Sequence, residues 1–133
     1  KSEISDLSRI NLTDDKDTIA NKIKKAKTDA LPLPSTIEEL EKRPEAKNLI
    51  GIFSSLAGLT LENSLNEFSG KNFSHFKENL SQLLIEKIIP ISFEIKKLLN
   101  DHNYLDSILI DGYKKADKIA SKKVEKIHEI IGF

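Results

Sequence analysis

The run from Phe73 to Leu99, FSHFKENLSQLLIEKIIPISFEIKKLL, decides the fold class. Its apolar residues Phe76, Leu80, Leu83, Leu84, Ile88, Ile91, Ile95, Leu98 and Leu99 return at intervals of three and four, the period of one face of an α-helix. Pro90 falls inside the run. It lacks a backbone donor and its ring crowds the preceding turn, so a kink is expected there. No stretch of the chain alternates apolar and polar residues at period two over a convincing length.

Upstream of this run, Gly70 and Gly58 mark helix ends, because a glycine readily takes the left-handed conformation of the C′ position. Thr60 is placed to cap a short helix through Phe68. Glu45 to Leu56 forms another, with Leu49, Ile50, Ile52, Phe53 and Leu56 expected to be buried. Leu31-Pro32-Leu33-Pro34-Ser35 cannot continue a helix. Thr36 to Lys42 allows one helical turn, ended by Arg43-Pro44, and residues 34–47 have the composition of a surface insertion. Before the prolines, Thr13-Asp14-Asp15 offers caps and negative charge for a helix over Lys16 to Ala26, with Ile19, Ile23 and Ala26 inward. Lys22, Lys24, Lys25 and Lys27 suit the negative end of that helix dipole. Lys1 to Leu12 reads as an irregular or extended arm.

Downstream, Asn100 to Asn103 is a polar break, Tyr104 to Ile110 a short helix and Gly112 a bend. A last helix to Ile131 carries Tyr113, Ala116, Ile119, Ala120, Val124, Ile127, Ile130 and Ile131 on one face, closed by Gly132. The expected fold is all-α: an irregular bundle of five or six helices behind a short non-helical N-terminal arm.

Composition narrows the function. The 133 residues carry 21 basic and 21 acidic side chains and no cysteine. This excludes a polybasic tail, a disulfide framework, a thiol nucleophile and a thiolate metal site. No apolar run reaches the roughly 20 residues that span a bilayer, so a soluble, cytoplasmic protein without membrane partners is expected. The sequence opens on Lys1 rather than Met and reads as a piece of something longer. His75, His102 and His128 are too scattered to form a ligand pair. No Gly-x-Ser-x-Gly elbow or phosphate-cradling glycine loop occurs. Asp14, Asp15 and Asp17 lack the glycine and distal glutamate of a calcium loop, so no metal site is expected. On these grounds the chain is a helical domain without an active site of its own.

The ordered residues Lys1-Ser2-Glu3, Ser8-Arg9-Ile10-Asn11-Leu12, Asp14-Asp15, Thr18-Ile19, Lys22-Ile23 and Ala26-Lys27-Thr28-Asp29 resemble a segment of the bacterial-type tryptophanyl-tRNA synthetases. In that class I family the segment begins at the second signature, Lys-Met-Ser-Lys-Ser, of which Lys1 and Ser2 would be the last two letters. The similarity continues through Asn48-Leu49, Ser55-Leu56, Gly58, Phe68-Ser69-Gly70-Lys71, Lys77, Leu80, Pro90-Ile91, Tyr104-Leu105-Asp106, Ile108-Leu109, Gly112, Lys115-Ala116 and Ile119-Ala120. It covers the chain apart from residues 30–46.

The resemblance implies two parts: residues 1–12 as the end of the ATP-site signature loop with a linker arm, and 13–133 as a helical anticodon-binding domain. The parent enzyme would add an upstream Rossmann domain with the tryptophan pocket and most of the ATP site. Lys1 is then the catalytic candidate, and Lys1 and Ser2 the candidates for the ATP phosphates, ATP entering with Mg2+. The tRNA for tryptophan, L-tryptophan and a second copy of the enzyme are the implied partners. The 133 residues alone are expected to be inactive.

Two lysine groups compete for the tRNA. Lys114, Lys118, Lys122 and Lys126 step along the last helix at i+4, but Asp111, Glu125 and Glu129 share that face and neutralise it. Lys24, Lys25 and Lys27 run into Thr28-Asp29 and the proline loop with fewer acids nearby. These five residues, Lys24 to Asp29 without Ala26, are therefore the tRNA-binding candidates. In the expected arrangement Asp29 accepts from base amino groups and the lysines meet phosphates. Zero net charge is unusual for a self-sufficient RNA binder, and the alternative reading is a non-catalytic helical protein-interaction module.

Overall fold

The computed structural model describes residues 5–132. Among them are six α-helices and no strand: α1 (Lys16–Lys25), α2 (Ile37–Glu41), α3 (Pro44–Ala57), α4 (Leu61–Phe68), α5 (Phe73–Asn100) and α6 (His102–Ile131). The all-α expectation holds. The chain divides into two compact units, Lys1–Phe93 and Glu94–Phe133.

The first unit holds the core. Ile19 and Ile23 of α1, Leu40 of α2, Leu49, Ile50 and Phe53 of α3, Leu65 and Phe68 of α4, and Phe76, Leu80 and Leu84 of α5 are all buried. At its centre Phe68 meets Phe53 and Phe76 edge to face, each at 4.9 Å between ring centroids. Phe53 and Phe76 lie 5.8 Å apart. Positive ring edges thus face negative ring faces, a geometry that adds to the burial of apolar area.

Local chemistry fixes the helix ends, with Asp15 and Thr60 capping as expected and Asn72 adding a cap at the start of α5. The Asp15 carboxylate accepts from Thr18 N at 2.8 Å, Thr60 Oγ1 from Asn63 N at 3.2 Å, and Asn72 Oδ1 from His75 N at 2.9 Å. Gly58 ends α3 at φ 68°, where a side chain would be strained.

Several expectations need correction. Residues 34–47 are no surface insertion: Pro34 and, just before it, Leu33 are buried, and Leu40 and Ala46 are fully enclosed. Leu33 is pinned because its N–H donates to Lys71 O at 2.9 Å and its carbonyl accepts from Gly70 N at 3.1 Å. That stretch packs α2 under α3 and α4. The arm is not wholly irregular either, since Asp6–Ser8 makes one 3-10 turn capped by Ser5. Ile52, expected to be buried, is 37% exposed. Gly112 does not divide the C-terminal segment into two helices; α6 runs through it, capped at its start by Asp101. One interior glycine costs a helix only about 1 kcal/mol, which thirty residues of backbone bonding outweigh. As its periodicity implies, α5 is one helix that contains Pro90.

In the second unit no described residue of α6 is buried. The face expected to turn inward, including Tyr113, Ile119, Val124, Ile127 and Ile130, is exposed. No helix among the described residues is long and apolar enough to cross a membrane.

Candidate nucleic-acid interface

The C-terminus of α1 and the start of α5 are tied by one lysine. Lys77 Nζ donates to Ala26 O at 2.6 Å and to Lys24 O at 3.3 Å. A cation on the last carbonyls of a helix satisfies groups that the helix itself leaves unpaired. Burial of the ammonium pushes the Lys77 pKa down.

Beyond Ala26 the loop is held by Arg43, which sits at the N-cap of α3. Its Nε donates to Asp29 Oδ2 at 2.9 Å and its Nη2 to Asp29 Oδ1 at 2.5 Å. Nη1 and Nη2 also reach the carbonyls of Pro32 at 2.6 Å and Leu31 at 3.2 Å. Asp29 Oδ1 further accepts from Leu31 N at 2.9 Å. The Arg43 guanidinium beside Asp29 holds its carboxyl below the ordinary value, against a smaller opposing effect of burial. A carboxylate has about four lone-pair sites, and three here are taken. The guanidinium also stands 5.6 Å over the ring centroid of Phe73.

Between these two ties lies a cleft of about 830 Å3. Lys24 and Ala20 of α1, the loop from Thr28 to Pro32, Asn72, and Phe73, Ser74, Lys77, Glu78 and Gln82 of α5 line it. Its walls are part aliphatic and part polar, and it presents donors and acceptors beside a cation. Such a site can take a flat unstacked base and hydrogen-bond its edge.

Of the five candidates, Lys24, Thr28 and Asp29 line this cleft, whereas Lys25 and Lys27 line a second groove of about 450 Å3 with Arg9, Glu45 and Asn48. Lys27 Nζ is 3.0 Å from Glu45 Oε1, and that hydrogen bond is the main reason the Glu45 pKa is lowered. Lys1 and Ser2 lie outside the described residues. On α6, Lys115 Nζ pairs with Asp111 Oδ2 at 2.6 Å.

Sequence reasoning missed Lys77, Arg43 and Lys22. The spacing of Phe73, Lys77 and Ser81 at i+4 was the available signal for Lys77, since it puts the lysine above a core phenylalanine. Nothing local marks Arg43 as a loop clasp. Lys22, placed by sequence to suit the helix dipole, instead has a side chain 3% exposed, with Nζ 2.7 Å from both Asp6 Oδ2 and Asp14 Oδ2.

No family model matches the chain. Its sequence is 48% identical over 132 residues to a tryptophan–tRNA ligase of Mesorhizobium japonicum, covering 99% of this chain and 37% of that protein. Tryptophan–tRNA ligases of Brucella suis and Rickettsia felis are 47% and 46% identical over all 133 residues, which make up 38% and 40% of their lengths. The chain therefore spans about two fifths of the relatives it matches. From end to end, this sequence is similar to the C-terminal part of tryptophan–tRNA ligases.

Proposed function

We propose that the chain is the helical, anticodon-binding portion of a tryptophan–tRNA ligase, an enzyme that joins L-tryptophan to its tRNA as ATP becomes AMP and pyrophosphate. The observation that carries this reading is the 45–48% identity to tryptophan–tRNA ligases along the whole chain. The cleft between α1, the Asp29 loop and α5 supports the RNA-binding part of it. In this reading an anticodon base enters the cleft with its edge towards Thr28 and the remaining lone pair of Asp29. Lys24 meets the flanking phosphate from within the cleft, and Lys25 and Lys27 meet phosphates from the adjoining groove. The Arg43 clasp keeps the loop in one shape before the RNA arrives, which lowers the ordering cost of binding.

Adenylate formation belongs to the rest of the enzyme, with Lys1 and Ser2 on the ATP phosphates. A lysine acts there by stabilising charge that develops on the leaving pyrophosphate. Among the described residues no three acid or histidine side chains gather as a metal site. A cytoplasmic homodimer, as in the implied family, completes the reading.

A protein-interaction module is the second reading, and the exposed apolar residues of α6 favour it. One experiment separates the two. The full-length ligase carrying this sequence should shift tryptophan tRNA, and a transcript with an altered anticodon should bind at least tenfold more weakly. Equal binding of both transcripts would remove the anticodon from the account.

A further inference from the structure

Lys77 stands on the α5 wall of the cleft with its ammonium already held by the protein. An ammonium has three donors and no acceptor. One donor of Lys77 is taken by Ala26 O at 2.6 Å and another by Lys24 O at 3.3 Å. Among the described residues no protein group accepts the third. The Nζ is also part-buried at its shorter bond.

A lysine that meets phosphates is ordinarily a strongly hydrated point charge on a flexible stem. Lys77 is neither free nor fully hydrated, and Glu78, on the same wall, would repel a phosphate. A fixed donor in such a place suits a neutral acceptor on the edge of a base. Asp29 lines the same cleft and supplies the opposite chemistry. Its Oδ1 accepts from Arg43 Nη2 and Leu31 N and its Oδ2 from Arg43 Nε, which leaves one lone pair on Oδ2. The cleft therefore pairs a group that only donates with a group that only accepts.

Cytosine and adenine each carry an amino group next to an unprotonated ring nitrogen. Uracil and guanine carry the reverse, a carbonyl next to a ring N–H. The tryptophan codon UGG is read by the anticodon CCA, in which every base is of the first kind.

We infer that Lys77 is a specificity-determining residue for the anticodon, donating its third N–H to the ring nitrogen of a base whose amino group donates to Asp29. The inference rests on the proposed anticodon role of this cleft. It adds the donor that rejects a ring N–H at the same position.

The test uses the full-length ligase carrying this sequence and filter binding of four transcripts: tryptophan tRNA and three versions with one anticodon base changed, either cytosine to uracil or the adenine to guanine. The parent should bind at least one changed transcript about tenfold more weakly, the usual worth of a paired base edge. Lys77→Met should shrink that ratio to about twofold, mainly by weakening the unchanged tRNA. If the parent binds all four alike, the anticodon reading fails and the inference with it. If the parent discriminates and Lys77→Met discriminates equally, the inference alone is wrong. Equal weakening of every transcript falls under that outcome and makes Lys77 a structural tie between α1 and α5. Should Lys77→Met not fold, the parent is tested with a deaza base at the discriminated position, which keeps the amino group and lacks the ring nitrogen. About tenfold weaker binding is expected, and unchanged affinity would overturn the inference.

Discussion

Arg43 grips both carboxylate oxygens of Asp29 across fourteen residues of sequence. That fork closes the loop carrying Thr28 and Asp29 and braces it against the ring of Phe73. The base-reading candidate is thus held in place before any RNA binds.

Replacing the fork tests this directly. Arg43→Lys keeps the charge but cannot make two parallel bonds to one carboxylate. The variant should bind tryptophan tRNA about tenfold more weakly, roughly the worth of one charge-assisted bond. Its loop should also be cut faster by trypsin at Lys27. Wild-type affinity together with wild-type proteolysis would show the fork to be idle.

Salt dependence separates phosphate contacts from base contacts. Charge removal at Lys24 and at Lys25 should each flatten the plot of log affinity against log salt by about 0.7 to 0.9, one phosphate contact apiece. Asp29→Ala should change discrimination between anticodons with little change of slope. Filter binding between low and moderate salt reads both quantities.

The aromatic centre should dominate stability. Phe68 is 1% exposed and makes both edge-to-face contacts. Phe68→Ala should cost about 3 to 5 kcal/mol in urea unfolding, the usual range for a fully buried phenylalanine. A cost below 1 kcal/mol would mean the core is not organised around this ring.

The Lys22 cluster with Asp14 and Asp6 has a definite pH window. Lys22 lowers Asp6 chiefly through its hydrogen bond. For Asp14, burial pulls the other way but is outweighed by Lys22 and Asn11. Both acids are therefore below their ordinary value of 3.8 in the folded chain. Their contribution is fully present above that value and is lost as pH falls through the lowered ones. Burial opposes the charge of Lys22, yet Asp14 and Asp6 raise its pKa above the ordinary 10.5. Its contribution is present below 10.5 and lost as pH rises past the raised value. Asp14→Asn should consequently narrow the difference in melting temperature between pH 6 and pH 3, measured by circular dichroism. An unchanged difference would place the acid sensitivity elsewhere.

Periodicity and capping made most of the helices legible. Phe76, Leu80 and Leu84 sit in the core where their spacing puts them, and Asp15, Thr60 and Gly58 cap as their chemistry suggests. Residues 34–47 misled because their polar composition hides Leu40 and Ala46, whose burial depends on α3 and α4 rather than on neighbours in sequence. Gly112 misled because a local preference of about 1 kcal/mol was set against a helix of 30 residues.

The site divided in the same way. A contiguous run from Lys24 to Asp29 was visible, but a helix turns 100° per residue, so Lys24 and Lys25 cannot share a face. Lys24 goes to the cleft and Lys25 to the adjoining groove. Lys77, 51 residues from Ala26, and Arg43 reach the site only through tertiary packing.

In the proposed reading, tRNA anticodon recognition occurs at the cleft between α1, the Asp29 loop and α5. Its most direct test is steady-state aminoacylation of tryptophan tRNA by the full-length ligase carrying Lys24→Ala and Thr28→Ala together, beside one carrying Lys114→Ala and Lys118→Ala. The account predicts that the first pair lowers kcat/KM for tRNA by a factor of ten or more, with ATP–pyrophosphate exchange intact, and that the second pair changes neither. Loss of tRNA-dependent activity in the α6 pair, with the cleft pair unaffected, would contradict it.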